Sequence, residues 1–195
     1  QLINQGKFRE KWYSELSVNH FENGTCVFAA RDRSRHNGHI LVIDHYLPQP
    51  DKDAGSHAMM STIRSLVRLG YKVHFVGDNF WHYPGTNYLN ALQSIGVEVL
   101  YGQQYNGKVI DWVKKNRDFI SHIILSRPHI SIKYLDDVKL ITSAPILYYA
   151  HDLGYLRAGR ELDIGVSKDD SGLKTTLSLE SELMQKSDVT LVFSN

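Results

Sequence analysis

Short apolar runs alternate with helical patterns along most of this chain, and that alternation restricts the possible folds more than any other feature. The runs are rich in β-branched and aromatic residues, which is typical of parallel strands buried on both faces. They lie at residues 40–43, 73–76, 97–100, 122–125, 146–149 and 189–193. We therefore expect six strands in one sheet.

The segments between these runs have the spacing of amphipathic helices. Met59, Ile63, Leu66 and Val67 fall on one helical face, and Gly70 follows as a stop signal. Similar faces occur at residues 88–95, 109–113, 134–138 and 173–184, whereas the polar stretch 154–170 is predicted to be a mobile loop. Six strands alternating with five helices predict an α/β fold, a Rossmann-like doubly wound parallel sheet with helices on both faces.

The first 37 residues differ in character from the rest. Phe8, Trp12 and Leu16 share one face of a predicted short helix, and a strongly charged segment follows at 31–36. We interpret 1–37 as a linker or the tail of an upstream module, and 38–195 as the Rossmann-like domain. Because the sequence starts at Gln1 and stops after an apolar run, we also expect it to be part of a longer protein.

Composition excludes several functional classes. The 22 basic residues nearly balance the 21 acidic ones, so nothing indicates a nucleic-acid partner. The single cysteine, Cys26, cannot form an internal disulfide and favours a reducing compartment. No apolar run approaches the roughly 20 residues that span a bilayer, and no signal peptide is visible.

Polar side chains that could carry chemistry follow the predicted strands. In open parallel sheets, ligands bind outside the carboxyl ends of the strands. The candidates there are Asp53, Ala54, Gly55 and Ser56 after the first strand, Asp78 and Asn79 after the second, Arg127 after the fourth, and His151, Asp152, Arg157 and Arg160 after the fifth.

Each candidate also has a structural interpretation. Asp53 and Ser56 could only cap the following helix, or residues 54–56 could let a hydroxylated or phosphorylated ligand approach its N-terminus. His151 could be a structural histidine, or it could donate to a sugar hydroxyl or a developing negative charge. The arginines could form surface ion pairs or bind phosphate or carboxylate. The chain has neither a GxGxxG nor a GxxxxGK[ST] motif, which disfavours a dinucleotide cofactor, and its histidines lack metal-site spacing.

Several of these segments together resemble a known enzyme family. Residues 40–56, 76–79, 96–102, 125–128 (Leu-Ser-Arg-Pro) and 149–153 (Tyr-Ala-His-Asp-Leu) are similar to the amino-terminal half of retaining GT-B glycosyltransferases, family 4 type, which assemble bacterial surface polysaccharides. The resemblance covers 38–195 almost continuously. Residues 1–16 resemble the end of another glycosyltransferase module.

The resemblance implies a division of labour between two domains. The amino-terminal domain would mainly hold a glycan or lipid-linked acceptor, and a donor-binding domain absent from these residues would hold the nucleotide sugar. His151 would be the catalytic residue that contacts the donor sugar, with Asp53 to Ser56 facing the donor phosphates and Arg127 and Asp152 lining the cleft. It further implies a cytoplasmic enzyme without a metal cofactor, with peripheral association with inner-membrane machinery as one arrangement, and a fragment inactive alone.

Two other interpretations stay open. One is a non-catalytic Rossmann-like module that binds a glycan or a protein. The other is a sugar epimerase or dehydrogenase domain, which the missing glycine motif disfavours.

Overall fold

A computed structural model describes residues 2–22, 25, 27, 37–79, 81–82, 87–151, 153–163 and 171–192. Its six strands form one sheet in the order β3-β2-β1-β4-β5-β6, with every neighbouring pair parallel. This is a Rossmann-like doubly wound α/β fold, which confirms the predicted class. The strands are β1 (His39–Asp44), β2 (Lys72–Gly77), β3 (Glu98–Val99), β4 (Ile120–Ser126), β5 (Ile146–Ala150) and β6 (Val189–Val192).

The described residues also form eight helices. Two of them precede the sheet, as the predicted N-terminal helical extension requires, and the others connect the strands. The helices are α1 (Leu2–Lys11), α2 (Tyr13–Asn19), α3 (Ala54–Arg68), α4 (Asn87–Ser94), α5 (Val109–Asn116), α6 (Pro128–Ile141), α7 (Gly154–Asp163) and α8 (Ser171–Lys186).

The central strands of the sheet are covered on both faces, since their successive residues point to opposite sides and pack in two separate cores. In β1, Ile40 and Val42 pack in one core with side chains of α3 and α4. Leu41 and Ile43 pack in a second core with side chains of α5, α6 and α8. The near-continuous apolar composition of β1 follows from this burial on both faces.

Local sequence signals fix the ends of the helices that follow β1 and β4. The Asp53 side chain accepts a hydrogen bond from the Ser56 backbone at the start of α3. At its end, Gly70 takes a positive φ of 84°, and its N–H and that of Tyr71 bond to the carbonyls of Val67 and Leu66. Pro128 stands in the first turn of α6, where its missing N–H is tolerated.

Two predictions of local structure are wrong. The stretch 154–170 is predicted to be a loop, but its first part, Gly154–Asp163, is a helix, α7, and residues 164–170 lie outside the described part of the chain. Its first two N–H groups are bonded by Glu180, which comes from α8 and could not be identified as a cap from the local sequence. The single helix predicted around Phe8 to Leu16 is interrupted at Trp12, whose backbone (φ −107°, ψ 16°) departs from helical geometry.

The strand order places a topological switch point between β1 and β4. From β1 the chain proceeds to β2 and β3 on one side, and from β4 to β5 and β6 on the other. The loops after β1 and β4 therefore diverge and leave a crevice at the carboxyl edge of the sheet. Within the described residues, no helix is long and apolar enough to cross a membrane.

Candidate functional site

An ion pair between a buried carboxylate and a partly buried guanidinium joins the ends of the two strands at the switch point. Asp44, the last residue of β1, has a side chain only 3% exposed, and its Oδ1 accepts a hydrogen bond from Arg127 Nε at 2.9 Å. The same oxygen accepts the backbone N–H of His45 at 2.7 Å. Burial disfavours the charged carboxylate, but His151 and the Arg127 charge outweigh it, so the pKa of Asp44 is lowered from its usual value.

Arg127 is held in a backbone conformation that side-chain-bearing residues rarely adopt. Its φ is 66°, the only positive value found for a non-glycine residue in the described ranges. The guanidinium lies over the loop after β1, where its carbon is 4.7 Å from the centre of the Tyr46 ring. The strained backbone is thus offset by an ion pair and a cation–π contact.

Tyr46 connects this pair to the start of α3. Its hydroxyl accepts a hydrogen bond from a terminal nitrogen of Arg127 at 3.1 Å and donates to Asp53 Oδ2, also at 3.1 Å. The loop after β1 is therefore tied both to β4 and to the helix it enters.

Asp53 is the N-cap of α3. Its carboxylate accepts the Ser56 backbone N–H and the Ser56 hydroxyl, each at 2.7 Å. Burial alone would raise the pKa of Asp53, but these bonds from Ser56 lower it below its usual value. Of the two uses considered for Asp53 and Ser56, capping is the one observed. A ligand anion at this helix end would meet the Asp53 carboxylate.

His151 lies beside this network, directly after β5. Its Nε2 is 2.9 Å from the hydroxyl of Ser126 and 3.9 Å from Asp44 Oδ2. Its side chain is 12% exposed, and its ring meets that of Tyr149 edge to face. Nδ1 is buried and has no hydrogen-bond partner among the described residues.

Nδ1 faces the first turn of α3 at Gly55. A methyl group at that position would lie 3.1 Å from His151 Nδ1 and 3.2 Å from Asp53 Oδ1, closer than such groups normally approach. The preceding residue, Ala54, is exposed. Glycine at position 55 therefore allows His151 to pack closely against the helix, and a larger residue would displace the imidazole.

The residues after β2 form a second group on the same edge. The Asp78 carboxylate accepts hydrogen bonds from Lys133 Nζ at 2.7 Å and from the Tyr134 hydroxyl, both on α6. Burial and the bond to Asp78 raise the pKa of Tyr134. Asp78 thus anchors α6 to the end of β2.

Asn79 belongs to a neighbouring cluster of imidazoles. Its Nδ2 is 2.8 Å from His45 Nε2, and His45 Nδ1 is 2.8 Å from Nε2 of His129. Burial lowers the pKa of His129 from its usual value, and the charges of His45, Lys133 and Arg127 lower it further. This group lies on the exposed side of the rim.

The structure therefore brings together some of the predicted residues. Asp53, Gly55, Ser56, Arg127 and His151 meet at the switch point, whereas Asp78 and Asn79 lie along the rim. Arg160 is exposed on α7. Asp152 and the side chain of Arg157 lie outside the described part of the chain, so their predicted roles stay predictions.

Sequence reasoning missed four members of the site. Asp44, His45, Tyr46 and His129 are not among the predicted candidates. A signal for Asp44 was present, because an acidic residue directly after a buried apolar run must be paired if it stays charged. Its partner is 83 residues away and could not be identified from the sequence.

The arrangement can bind hydroxyl groups but is not a hydrolase triad. In a serine hydrolase the acid and the serine contact opposite nitrogens of the histidine. Here Asp44 and Ser126 both face Nε2, and Ser126 is fully buried. Among the described residues no group of three or more His, Cys, Asp or Glu side chains could hold a metal ion.

Comparison with known proteins adds no assignment. No protein-family profile matches the chain, and no curated protein matches it significantly.

Proposed function

We propose that this chain is the acceptor-side domain of a retaining GT-B glycosyltransferase of the family 4 type. In this proposal the complete protein transfers a sugar from a nucleotide sugar to a growing surface glycan of the O-antigen or capsule type. The supporting observation is the convergence of His151, the first turn of α3 and the Asp44–Arg127 pair at the switch point. That is the edge where open α/β sheets bind ligands.

The charge balance of the site supports a neutral, hydroxyl-rich ligand. The carboxylates of Asp44 and Asp53 surround the guanidinium of Arg127, which lies 3.9 Å from Asp53 and 2.9 Å from Asp44. Because its charge is already compensated, Arg127 is poorly suited to capture a phosphate. Hydroxyl groups, which both donate and accept, fit this mixture of tyrosine, serine, histidine and carboxylate groups.

The capped start of α3 also argues against a dinucleotide. In dinucleotide-binding folds the pyrophosphate sits on the free N–H groups of the first helix. Here Asp53 already accepts the Ser56 N–H, and its negative charge would repel a phosphate. We therefore assign the donor diphosphate mainly to a second, donor-binding domain.

In the proposed reaction, the bond from the anomeric carbon to the diphosphate oxygen breaks and a bond to the acceptor oxygen forms. The acceptor hydroxyl loses its proton in the same process, and the departing diphosphate or the solvent takes it up. The contribution of this domain is placement of the sugar and acceptor and stabilisation of developing charge. We place the enzyme in the cytoplasm, with a peripheral location at the inner membrane if the acceptor is lipid-linked.

The test is a product assay on the complete gene product with a panel of nucleotide sugars. We expect His151→Ala to lower transfer at least about 100-fold, because it removes a positioned polar contact to the reacting sugar. His57→Ala, at an exposed position of α3, is the matched control and should keep normal turnover.

Two results would contradict the proposal. Near-normal turnover of the His151→Ala enzyme would show that His151 does not take part in sugar transfer. If the wild-type protein transfers no sugar but binds oligosaccharides saturably, the alternative of a non-catalytic glycan-binding module is correct.

A further inference from the structure

The two ring nitrogens of His151 have different neighbours. Among the described residues, the polar groups in contact with His151 lie at one ring nitrogen, since Ser126 Oγ and Asp44 Oδ2 are 2.9 and 3.9 Å from Nε2. The other nitrogen, Nδ1, faces Gly55 without a hydrogen-bond partner among the described residues. The two nitrogens of the ring are therefore in electrostatically different surroundings.

The carboxylate of Asp44 is oriented so that one oxygen is directed at His151. Oδ1 accepts both the Arg127 Nε–H and the His45 N–H. These two donors fix the plane of the carboxylate and leave Oδ2 on the side of the histidine. Since the Asp44 side chain is 3% exposed, water screens this interaction only weakly.

We propose that Asp44 is a positioning residue that holds neutral His151 in the tautomer protonated at Nε2. With the proton on Nε2, the N–H points toward Ser126 Oγ and the negative Asp44 oxygen. With the proton on Nδ1, the Nε2 lone pair would face that carboxylate, and a buried N–H would lack a partner, which is rare in proteins.

This tautomer determines what Nδ1 can bind. The Nδ1 lone pair accepts a hydrogen bond from a hydroxyl and repels an anion. Because Nδ1 is buried against Gly55, a ligand hydroxyl would bind to it only after the imidazole moves away from the first turn of α3. That step rests on the proposed function, since a sugar would supply the hydroxyl. It also explains the unsatisfied buried nitrogen, whose missing partner would come from the ligand.

The first test measures the tautomer directly by long-range ¹H–¹⁵N correlation spectroscopy on this chain with ¹⁵N-labelled histidine, at a pH where His151 is neutral. The His151 signals are assigned by their loss in His151→Gln. We expect protonated Nε2 and unprotonated Nδ1. A proton on Nδ1 in the wild-type protein overturns the proposal, whatever the protein's function.

Two variants show whether Asp44 or Ser126 determines the tautomer of His151. In Asp44→Asn, the carboxamide oxygen must take the place of Oδ1 to accept from Arg127 and His45, so its NH₂ group faces Nε2 as a donor. We expect the histidine proton to move to Nδ1. In Ser126→Ala the carboxylate remains, and we expect Nε2 to stay protonated.

The opposite pattern, a shift in Ser126→Ala and none in Asp44→Asn, would assign the tautomer to Ser126 and overturn the proposal. If Asp44→Asn does not fold, the spectra of the wild-type and Ser126→Ala proteins still test the proposal. A mixture of His151 tautomers in the Ser126→Ala protein would show that Asp44 does not hold the proton on Nε2.

The second test is transfer activity of the complete gene product. Asp44→Asn should lower kcat at least about 100-fold, as expected when a histidine is held in the wrong tautomer, and adding His151→Ala to it should cause little further loss. Normal kcat in a variant whose His151 is protonated at Nδ1 would show that Nδ1 does not accept a hydrogen bond from the ligand. Absence of transfer by the wild-type protein would instead reject the proposed function and leave the spectroscopic result standing.

Discussion

Arg127 donates from Nε to Asp44 Oδ1 over 2.9 Å and so joins the carboxyl ends of β4 and β1 across the switch point. The pair lies under the rest of the site, because Tyr46 packs on the guanidinium and His151 faces the second carboxylate oxygen. The loop after β1 is therefore fixed before any ligand arrives, and the Arg127 charge serves the protein's own structure.

Replacing Arg127 with methionine should strongly destabilise the protein. The Asp44 carboxylate would remain buried without its partner, and loss of one member of a buried pair costs about 3 kcal/mol or more. The measurement is the free energy of unfolding in urea at neutral pH. Arg117→Met is the control, because Arg117 pairs with Asp118 on the exposed surface, and its loss should change stability by less than about 1 kcal/mol. Equal effects of the two substitutions would contradict the buried ion pair.

The His45–His129 contact should make stability depend on pH. Burial and the nearby positive charges lower the pKa of His129 from 6.5 in the folded state. At pH values between the folded pKa and 6.5, the unfolded state binds more protons than the folded state does. The free energy of unfolding therefore falls as the pH falls below about 6.5. Above that pH the contribution of His129 is constant.

His129→Gln should therefore flatten the stability profile below pH 6.5, as measured by urea unfolding at a series of pH values. His57→Gln, at an exposed position of α3, should leave the wild-type slope unchanged. A wild-type slope retained in His129→Gln would assign the pH dependence to other groups.

Gly55→Ala should separate function from stability. The added methyl would lie 3.1 Å from His151 Nδ1, so the imidazole must move away from α3. Alanine is favoured over glycine in helices by up to about 1 kcal/mol, which offsets part of the strain. We expect the thermal midpoint to change little and the transfer rate of the complete gene product to fall.

The matched control is Gly159→Ala in α7, where a methyl group meets nothing within 4 Å. It should keep full activity and be as stable as the wild type or more stable. If Gly55→Ala also retains full activity, close packing of His151 on α3 is not needed for function.

Glu180 should control the order of α7. Its side chain is 1% exposed, and its two oxygens accept the backbone N–H groups of Gly154 at 2.9 Å and Tyr155 at 3.2 Å. In Glu180→Gln one of these oxygens becomes an NH₂ group facing an N–H donor. We expect a loss of about 1–3 kcal/mol and faster amide exchange in α7.

Hydrogen exchange followed by mass spectrometry would measure that change. Glu182→Gln, on the same helix with a side chain 43% exposed, should leave exchange in α7 unaltered. Unchanged protection of α7 in Glu180→Gln would show that the cap contributes little to this helix.

Much of the fold was predictable because its signals are local. The apolar runs and the spacing of Met59, Ile63, Leu66 and Val67 depend only on neighbouring residues, and they correctly predicted the six strands and the core face of α3. Gly70 and Pro128 likewise marked helix ends through their own backbone preferences. The position of His151 directly after a buried strand was visible in the same way.

The sequence by itself thus determined the elements and which of their ends carry polar residues. Only the tertiary structure decided which of those residues meet. Asp44 and Arg127 are 83 residues apart, and Gly154 is capped by a glutamate 26 residues later. The strand order brings β1 beside β4 and so creates both the ion pair and the environment of His151. Such contacts depend on chain segments brought together only when the sheet assembles, and no local pattern encodes them.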